Sequence, residues 1–294
     1  MEATVMQERG ARISILDRLS HLLKHRKRLL LGASVIISFV ASAVLAPVLA
    51  PYDPTQIDLR EGREPPSREH LLGTDELGRD LLSRILYGGR VTLVVALVAL
   101  TIATLVGSSI GILAGNLGGA WDTVLMRLMD VELAFPGIVL AIVIVAVVGP
   151  GLAGLIVSLA IFPIPSFARL SRALTLQVME EVYIDAAKAV GVGRVRLVRL
   201  HVIPNVLDPL LVQMSVSFPS IVLIGSSLGF LGLGVQPPTP EWGVMLSRGR
   251  DYVITSPHMS IFPGAAVTFV VLGFTLFGDA LRDMLDPHLR TIES

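Results

Sequence analysis

The chain contains no cysteine. That excludes disulfides, thiolate metal sites, iron–sulfur clusters and a cysteine nucleophile together. It is also poor in charge: Asp, Glu, Lys and Arg make up 16% of residues, against about 25% in a soluble domain. So few charges cannot wet a globular surface. The 24 basic and 24 acidic residues cancel, so bulk attraction to nucleic acid is not indicated. What is abundant is apolar, with 52% hydrophobic residues and a mean hydropathy of +0.71. That excludes disorder, and 27 glycines without a G-X-Y period exclude collagen. Length alone, 294 residues, suggests one large domain or two small ones. Composition makes the chain an integral membrane protein.

A helix needs about 20 apolar residues to cross a hydrocarbon core of about 30 Å. Uncharged stretches cover Leu29–Pro51, Val91–Trp121, Leu133–Ala168, Pro209–Pro240 and, with an apolar core from Ile261, Tyr252–Gly278. Leu133–Ala168 is too long for one helix, and Gly149-Pro150-Gly151 divides it. The expectation is an all-α polytopic protein with six transmembrane helices, and no alternation long enough for a β-barrel. Sixteen of the 24 Lys and Arg fall on the side holding both termini and eight on the other. By the positive-inside rule both termini are cytoplasmic. The basic stretch, apolar core and Ala41-Ser-Ala43 resemble a cleavable signal peptide. The apolar run continues past Ala43 to a full span, which favours an uncleaved anchor.

Between the spans, 52–90 opens with an irregular Pro-rich stretch. Thr74-Asp75 reads as a helix start, Leu77, Leu81 and Ile85 recur every four residues, and Gly88-Gly89 ends the run. The expectation is a short amphipathic helix at the outer interface. In the second span Gly107, Gly111 and Gly115 share one face, a spacing that lets helix backbones approach closely in lipid. Pro219 and the glycines Gly225, Gly229, Gly232 and Gly234 suggest a kinked fifth span.

Candidates for bond chemistry are absent from the motifs. There is no H-E-x-x-H, no G-x-S-x-G and no Walker G-x-x-x-x-G-K-[ST]. His201 and His258 flank spans rather than converging. Asp208, one residue before Pro209 at a span end, reads as a capping or interfacial group rather than a proton relay. No catalytic site and no metal site are expected. Any energy for transport comes from another subunit or an ion gradient.

The loop between spans four and five is the most patterned polar segment. Tyr183, Ala186, Ala187 and Val190 fall at i, i+3, i+4, i+7. Glu181, Asp185 and Lys188 mark another face, and Asp185 can pair with Lys188. Gly191 and Gly193 interrupt the helix, a basic run Arg194–Arg199 follows, and Pro204 opens span five. The pattern fits a helix presenting small residues to a partner, or a basic helix lying on anionic lipid. It does not choose between them.

Asp185-Ala-Ala-x-x-x-Gly191, nine residues, then His201-x-Ile203-Pro204 resembles the cytoplasmic signature of ABC importer permeases, E-A-A-x3-G-x9-I-x-L-P. Asp185, His201 and Ile203 depart from it, the first conserving charge. Three further stretches resemble the dipeptide/oligopeptide branch: Gly73-Thr-Asp75-x-x-Gly-Arg79-Asp80-x-x-Ser-Arg84, Phe230-Leu-Gly-Leu-Gly234 with Pro237-Pro-x-Pro-x-Trp242-Gly243, and Gly278-Asp279-x-Leu-Arg282-Asp283-x-Leu-Asp286-Pro287. The likeness runs from about residue 20 to 290, to the C-type permease of that family.

The resemblance implies a type I ABC importer permease fold in the cell inner membrane. It divides the chain into a cytoplasmic segment 1–28, a first transmembrane helix 29–51, an extracytoplasmic loop 52–87, a permease core 88–284 with coupling loop 180–203, and a cytoplasmic tail 285–294. It implies a second homologous permease, two cytoplasmic ABC ATPases (or one fused chain) that bind ATP and Mg, and an extracytoplasmic substrate-binding protein. It also implies that a helix over Glu181–Val190 docks on an ATPase, with Asp185 as polar contact, Ala186 and Ala187 as the close-packed face and Gly191 as the turn. Glu181, Tyr183, Val190 and Pro204 complete the coupling set. Gln213, Ser215 and Ser217 are the polar candidates along the substrate path. Within the family the cargo is a dipeptide or oligopeptide, with a nickel chelate or haem-like molecule as the alternative. An ion-driven secondary transporter is the more remote reading, and it predicts midplane charges and inverted repeats.

Overall fold

A computed structural model describes residues 27–285; the calls for Arg9 to Arg26, for most of the segment 1–28 and for the tail beyond 285 lie outside them. Among the described residues the chain is helical throughout, apart from turns and one isolated bridge between Thr74 and Asp80. Five helices are long and apolar enough to cross a membrane: Lys27–Val44 (α1), Leu81–Leu117 (α3), Leu152–Met179, Arg194–Phe230 and His258–Met284. A bent pair, Gly119–Leu133 (α4) and Gly137–Val148 (α5), meets at 93° and makes a sixth if taken as one span. A four-residue helix, Ala46–Leu49 (α2), follows the first span.

The division at Gly149-Pro150-Gly151 stands where the residues place it. Val148 ends α5 and Leu152 begins α6 (Leu152–Ile161), with Gly149 at φ 103° and Gly151 at φ 129°. Helix α7 (Ile164–Met179) continues the descent. The three glycines Gly107, Gly111 and Gly115 lie along α7. A Cβ on Gly107 would stand 2.7 Å from the Ile164 carbonyl oxygen, one on Gly111 2.2 Å from the Ala168 oxygen, and one on Gly115 2.9 Å from Thr175 Cβ. In lipid, contacts this close hold helices together, because apolar burial alone does not. Both partners rise in number along the contact, so α3 and α7 run in the same direction. Bidentate Arg172–Asp122 (Nη2–Oδ2 2.6 Å) and Arg169–Asp130 (2.7 Å) tie α4 to α7.

The segment 52–90 departs from expectation. No separate amphipathic helix forms: Thr74 bridges to Asp80 across a turn at Glu76-Leu77, and α3 begins at Leu81 with Asp80 as its N-cap, accepting from the Ser83 N–H. Nor does Gly88-Gly89 end it. Those glycines are the seat of Trp242, whose ring would meet a Cβ on either at 2.8 and 3.2 Å and whose Nε1 donates to the Ile85 carbonyl at 2.9 Å. At about 1.5 Å per residue, 37 residues reach about 55 Å, so α3 projects well beyond a hydrocarbon core of about 30 Å. That projection accounts for the arginines in its first turns. Arg84 is buried there, 3.3 Å from Asp75 and donating to the Pro54 carbonyl at 2.9 Å.

The cap that 52–90 builds at this end of the bundle is tightly knit. Asp75 holds Arg79 at 2.6 Å, Glu76 holds Arg248 at 2.7 Å, and His258 Nε2 lies 3.2 Å from the Thr74 carbonyl. His70 sits between Asp80 (2.9 Å) and Glu61 (3.1 Å). Burial opposes its protonation, but the hydrogen bonds to the two carboxylates prevail and raise its pKa above the ordinary histidine value. Beneath it, Glu241 caps helix α11 (Trp242–Gly249), accepting from the Gly243 and Val244 N–H groups at 2.8 and 2.9 Å. Burial pushes its carboxyl up to about 7 against those two bonds. The last helix, α12 (His258–Leu285), packs on α1: a Cβ on Gly273 would stand 2.2 Å from Val35 Cγ1.

Candidate functional site

At the end of the bundle opposite that cap, α7 gives way to the loop singled out by the sequence. Glu180 and Glu181 turn the chain, and helix α8 spans Val182–Ala189, with Glu181 and Val190 as its caps. The expected helix Glu181–Val190 thus differs only in counting the caps, the usual uncertainty at helix ends. Glu181 caps through its carbonyl, which accepts from Ile184 N–H at 2.9 Å; its side chain makes no capping bond. Asp185 in the first turn and Lys188 in the last suit the helix dipole, and they pair at 3.0 Å. Both are exposed, so the pair contributes a few tenths of a kcal/mol at most.

Gly191 ends the helix at φ 87°. Its N–H donates to the Lys188 carbonyl at 2.9 Å and the Val192 N–H to the Ala187 carbonyl at 3.0 Å. This is the Schellman pair, which requires a left-handed residue at that position. The chain then re-enters helix at Arg194–Leu197 (α9), passes through a π turn at Val198–Val202 and continues as α10 (Ile203–Phe230). The fifth span therefore starts ten residues before Pro204. In the π turn the Ile203 N–H reaches back five residues to the Val198 carbonyl. Pro204 follows at the first turn of α10, where a missing N–H is tolerated.

The four residues read as one face do not all point outward. Tyr183, Ala186 and Val190 are exposed, but Ala187 is half-buried and packs on the hydrophobic core. The anchor is Ile184, fully buried with Leu197 and Val202, which the four-residue face left out. Its signal was present as an Ile184–Ala187 pair at i, i+3. Tyr183 stacks obliquely on His201, centroids 5.5 Å apart. Val182, Val190 and Val195 are each 80% exposed or more.

Beside the loop, α7, α10 and α12 enclose an open cleft of about 540 Å³ whose polar lining is Asn205, Asp208, Gln213 and Arg282. Asp208 is not a cap: α10 begins at Ile203, so Asp208 lies in the helix body and lines this cleft. Gln213 Nε2 donates to Ser217 Oγ at 3.3 Å. Ser215 is elsewhere, bonded to the Leu211 carbonyl and with its backbone against Gly278. Among the described residues no group of three or more His, Asp or Glu could hold a metal.

Comparison with known proteins is consistent along the chain. The family model described as binding-protein-dependent transport system inner membrane component matches residues 107–291. That of the N-terminal transmembrane domain of oligopeptide transport permease C matches residues 18–66. A probable D,D-dipeptide transport system permease protein of Escherichia coli K12 is 43% identical over 87% of this chain and 86% of its own. The di/tripeptide transport system permease protein of Pseudomonas aeruginosa is 43% identical over 90% of each. A glutathione transport system permease protein of Pectobacterium atrosepticum is 42% identical over 87% of this chain and 85% of its own. Among solved structures, an amino acid ABC transporter superposes with TM-score 0.53 at 17% identity, over 69% of this chain and 94% of that one. The MetNI methionine ABC transporter gives 0.52 at 18%, over 69% and 97%. At such identity these two speak to the fold.

Proposed function

Because the chain belongs to the family of binding-protein-dependent transport system inner membrane components, we propose that it is the permease subunit of an ATP-driven importer of short peptides. It forms half of the translocation path, and a second homologous permease forms the other half. Two cytoplasmic ATPase subunits, separate or fused, bind ATP and Mg and hydrolyse the nucleotide; this chain performs no bond chemistry. An extracytoplasmic binding protein delivers the cargo. Both termini face the cytoplasm, as the distribution of Lys and Arg favours. The named relatives concern dipeptides, di/tripeptides and glutathione, which favours a peptide cargo and lends nothing to a nickel chelate or haem-like molecule.

The observation that carries the coupling role is the continuity of the loop with two spans. Helix α8 is joined to α7 by two residues, and through Gly191–Gly193 to the unbroken α9–π–α10 segment. Ile184 pins it to the protein's own core, while Val182 and Val190 at its two ends stay uncovered. A helix held on one side and bare on the other passes on displacement as a rigid lever. Closure of ATP-loaded subunits shifts α8, and α7 and α10 follow. Because α7 lies on the α3 glycines, the bundle repacks between two arrangements rather than deforming smoothly. One opens the path outward and the other inward.

Isolation of the tagged chain from its native membrane tests the reading. Co-purification of a second permease and ATPases is expected, with ATP-dependent dipeptide uptake in proteoliposomes supplied with the binding protein. Uptake by the lone chain under an ion gradient, without nucleotide, would establish a secondary transporter instead. A metal chelate or haem-like ligand on the natively isolated binding protein would overturn the peptide assignment alone.

A further inference from the structure

The cleft between α7, α10 and α12 holds two opposite charges that nothing among the described residues matches. Asp208 and Arg282 both line it, and neither makes an ion pair or hydrogen bond among the described residues. The neighbouring cleft between α4 and α7 differs: there Asp122 is taken by Arg172 and Asp130 by Arg169. Along α10 the lining positions 205, 208, 209, 212, 213 and 216 follow three- and four-residue steps, which is one helical face. That face bears Asn205, Asp208 and Gln213, and Gln213 hands on to Ser217. A polar track therefore climbs a helix that is otherwise apolar.

A carboxylate and a guanidinium opening into one cleft, with two carboxamides beside them, complement one ligand class: a small zwitterion carrying an ammonium and a carboxylate. The volume of about 540 Å³ lies within the range of about 300–1,000 Å³ typical of small-ligand sites. We propose that this cleft is the inner section of the transport path and holds a short peptide by its free termini, Asp208 receiving the ammonium and Arg282 the carboxylate. The proposal rests on the peptide-importer reading and adds to it the residues and the chemical feature recognised. Exposure of both side chains keeps the hold weak, as release into the cytoplasm demands. The floor of the cleft touches the lever: Asn205 Nδ2 donates to the His201 carbonyl at 2.7 Å, and the His201 ring lies on Tyr183.

Since the chain has no cysteine, Val212→Cys creates a single reporter in the cleft. Inside-out vesicles bearing the whole nucleotide-free complex are treated with a methanethiosulfonate reagent, and the modification of this chain is followed by mass spectrometry. A free dipeptide is expected to slow labelling about tenfold as it saturates, whereas the same dipeptide acetylated and amidated at its ends does not. Asp208→Asn and Arg282→Gln each shift half-protection by about tenfold in peptide concentration, the loss of one charged contact, and Asp208→Glu restores it. Equal protection by free and blocked peptides, or none by either, overturns the proposal. So does a cysteine that the reagent never reaches, since lipid or the partner permease then fills the cleft. Dipeptide uptake by the Val212→Cys complex is measured in parallel. Uptake without protection defeats the cleft assignment alone, whereas failure of the native complex to take up any peptide defeats the importer reading beneath it.

Discussion

Replacing Gly191 tests the lever at its hinge, because the cost comes from the backbone alone. At φ 87° the residue occupies the left-handed side, and no atom lies within 4 Å of the position a Cβ would take. Crowding therefore contributes nothing. An L-residue there costs roughly 1–2 kcal/mol, and a β-branched one sits at or beyond the top of that range. Two backbone bonds depend on the conformation, Gly191 to Lys188 and Val192 to Ala187. An isolated helix as short as α8 is not stable in water, so unwinding its last turn slackens the link to α9. About 2 kcal/mol changes an equilibrium by roughly 30-fold. In reconstituted complexes, peptide taken up per ATP hydrolysed is expected to fall in the order Gly, Asn, Ala, Val, with Gly191→Asn close to the native protein because Asn tolerates this region. Purified yields of the four complexes should match, since the spans are untouched. Native coupling in an assembled Gly191→Val complex would refute the lever argument. Equal losses in Asn and Val would show that the position matters for something other than its φ.

Gly111→Ala places a methyl 2.2 Å from the Ala168 oxygen and 2.8 Å from the Arg172 nitrogen, so α3 and α7 must separate. Loss of about 1–3 kcal/mol is expected as a lower melting temperature in detergent, and an unchanged melt would show that the two helices can slide apart freely. Glu241 holds its proton to about pH 7 when folded and to about 4.3 when unfolded. Between those values the unfolded chain binds fewer protons, so stability falls as pH rises and levels off above 7. Glu241→Gln should flatten that slope in thermal melts, and a slope that persists assigns it elsewhere. His70, with its pKa raised, contributes stability that is complete below the ordinary histidine value and lost as pH rises through its folded value. Protection factors of the 73–80 amides, exchange rates corrected for intrinsic base catalysis, should fall over that rise, and His70→Gln should abolish the fall; a native-like pH response of the protection factors in that variant would remove His70 as its source.

Local chemistry and tertiary context divide this molecule in a consistent way. Uncharged runs located the apolar part of each long helix though not its ends, two glycines and a proline separated α5 from α6, and the glycine after α8 announced its Schellman end, because each depends on residues within a turn or two of one another. The i, i+4 glycines likewise carried their own geometric meaning. The start of α3 did not. Arg84 and Arg90 made the run before Val91 look unlike a span, and only Asp75 and the Pro54 carbonyl, folded over from the loop, make Arg84 tolerable at its buried position. Gly88-Gly89 resembled a stop because the ring that fills their place, Trp242, lies more than 150 residues further on. Asp208 looked like a cap until Arg282 appeared across the same cleft. Periodicity specifies which side of a helix is apolar or bare. Which distant segment comes to cover it, or leaves a charge there without a counterpart, is decided when the helices pack.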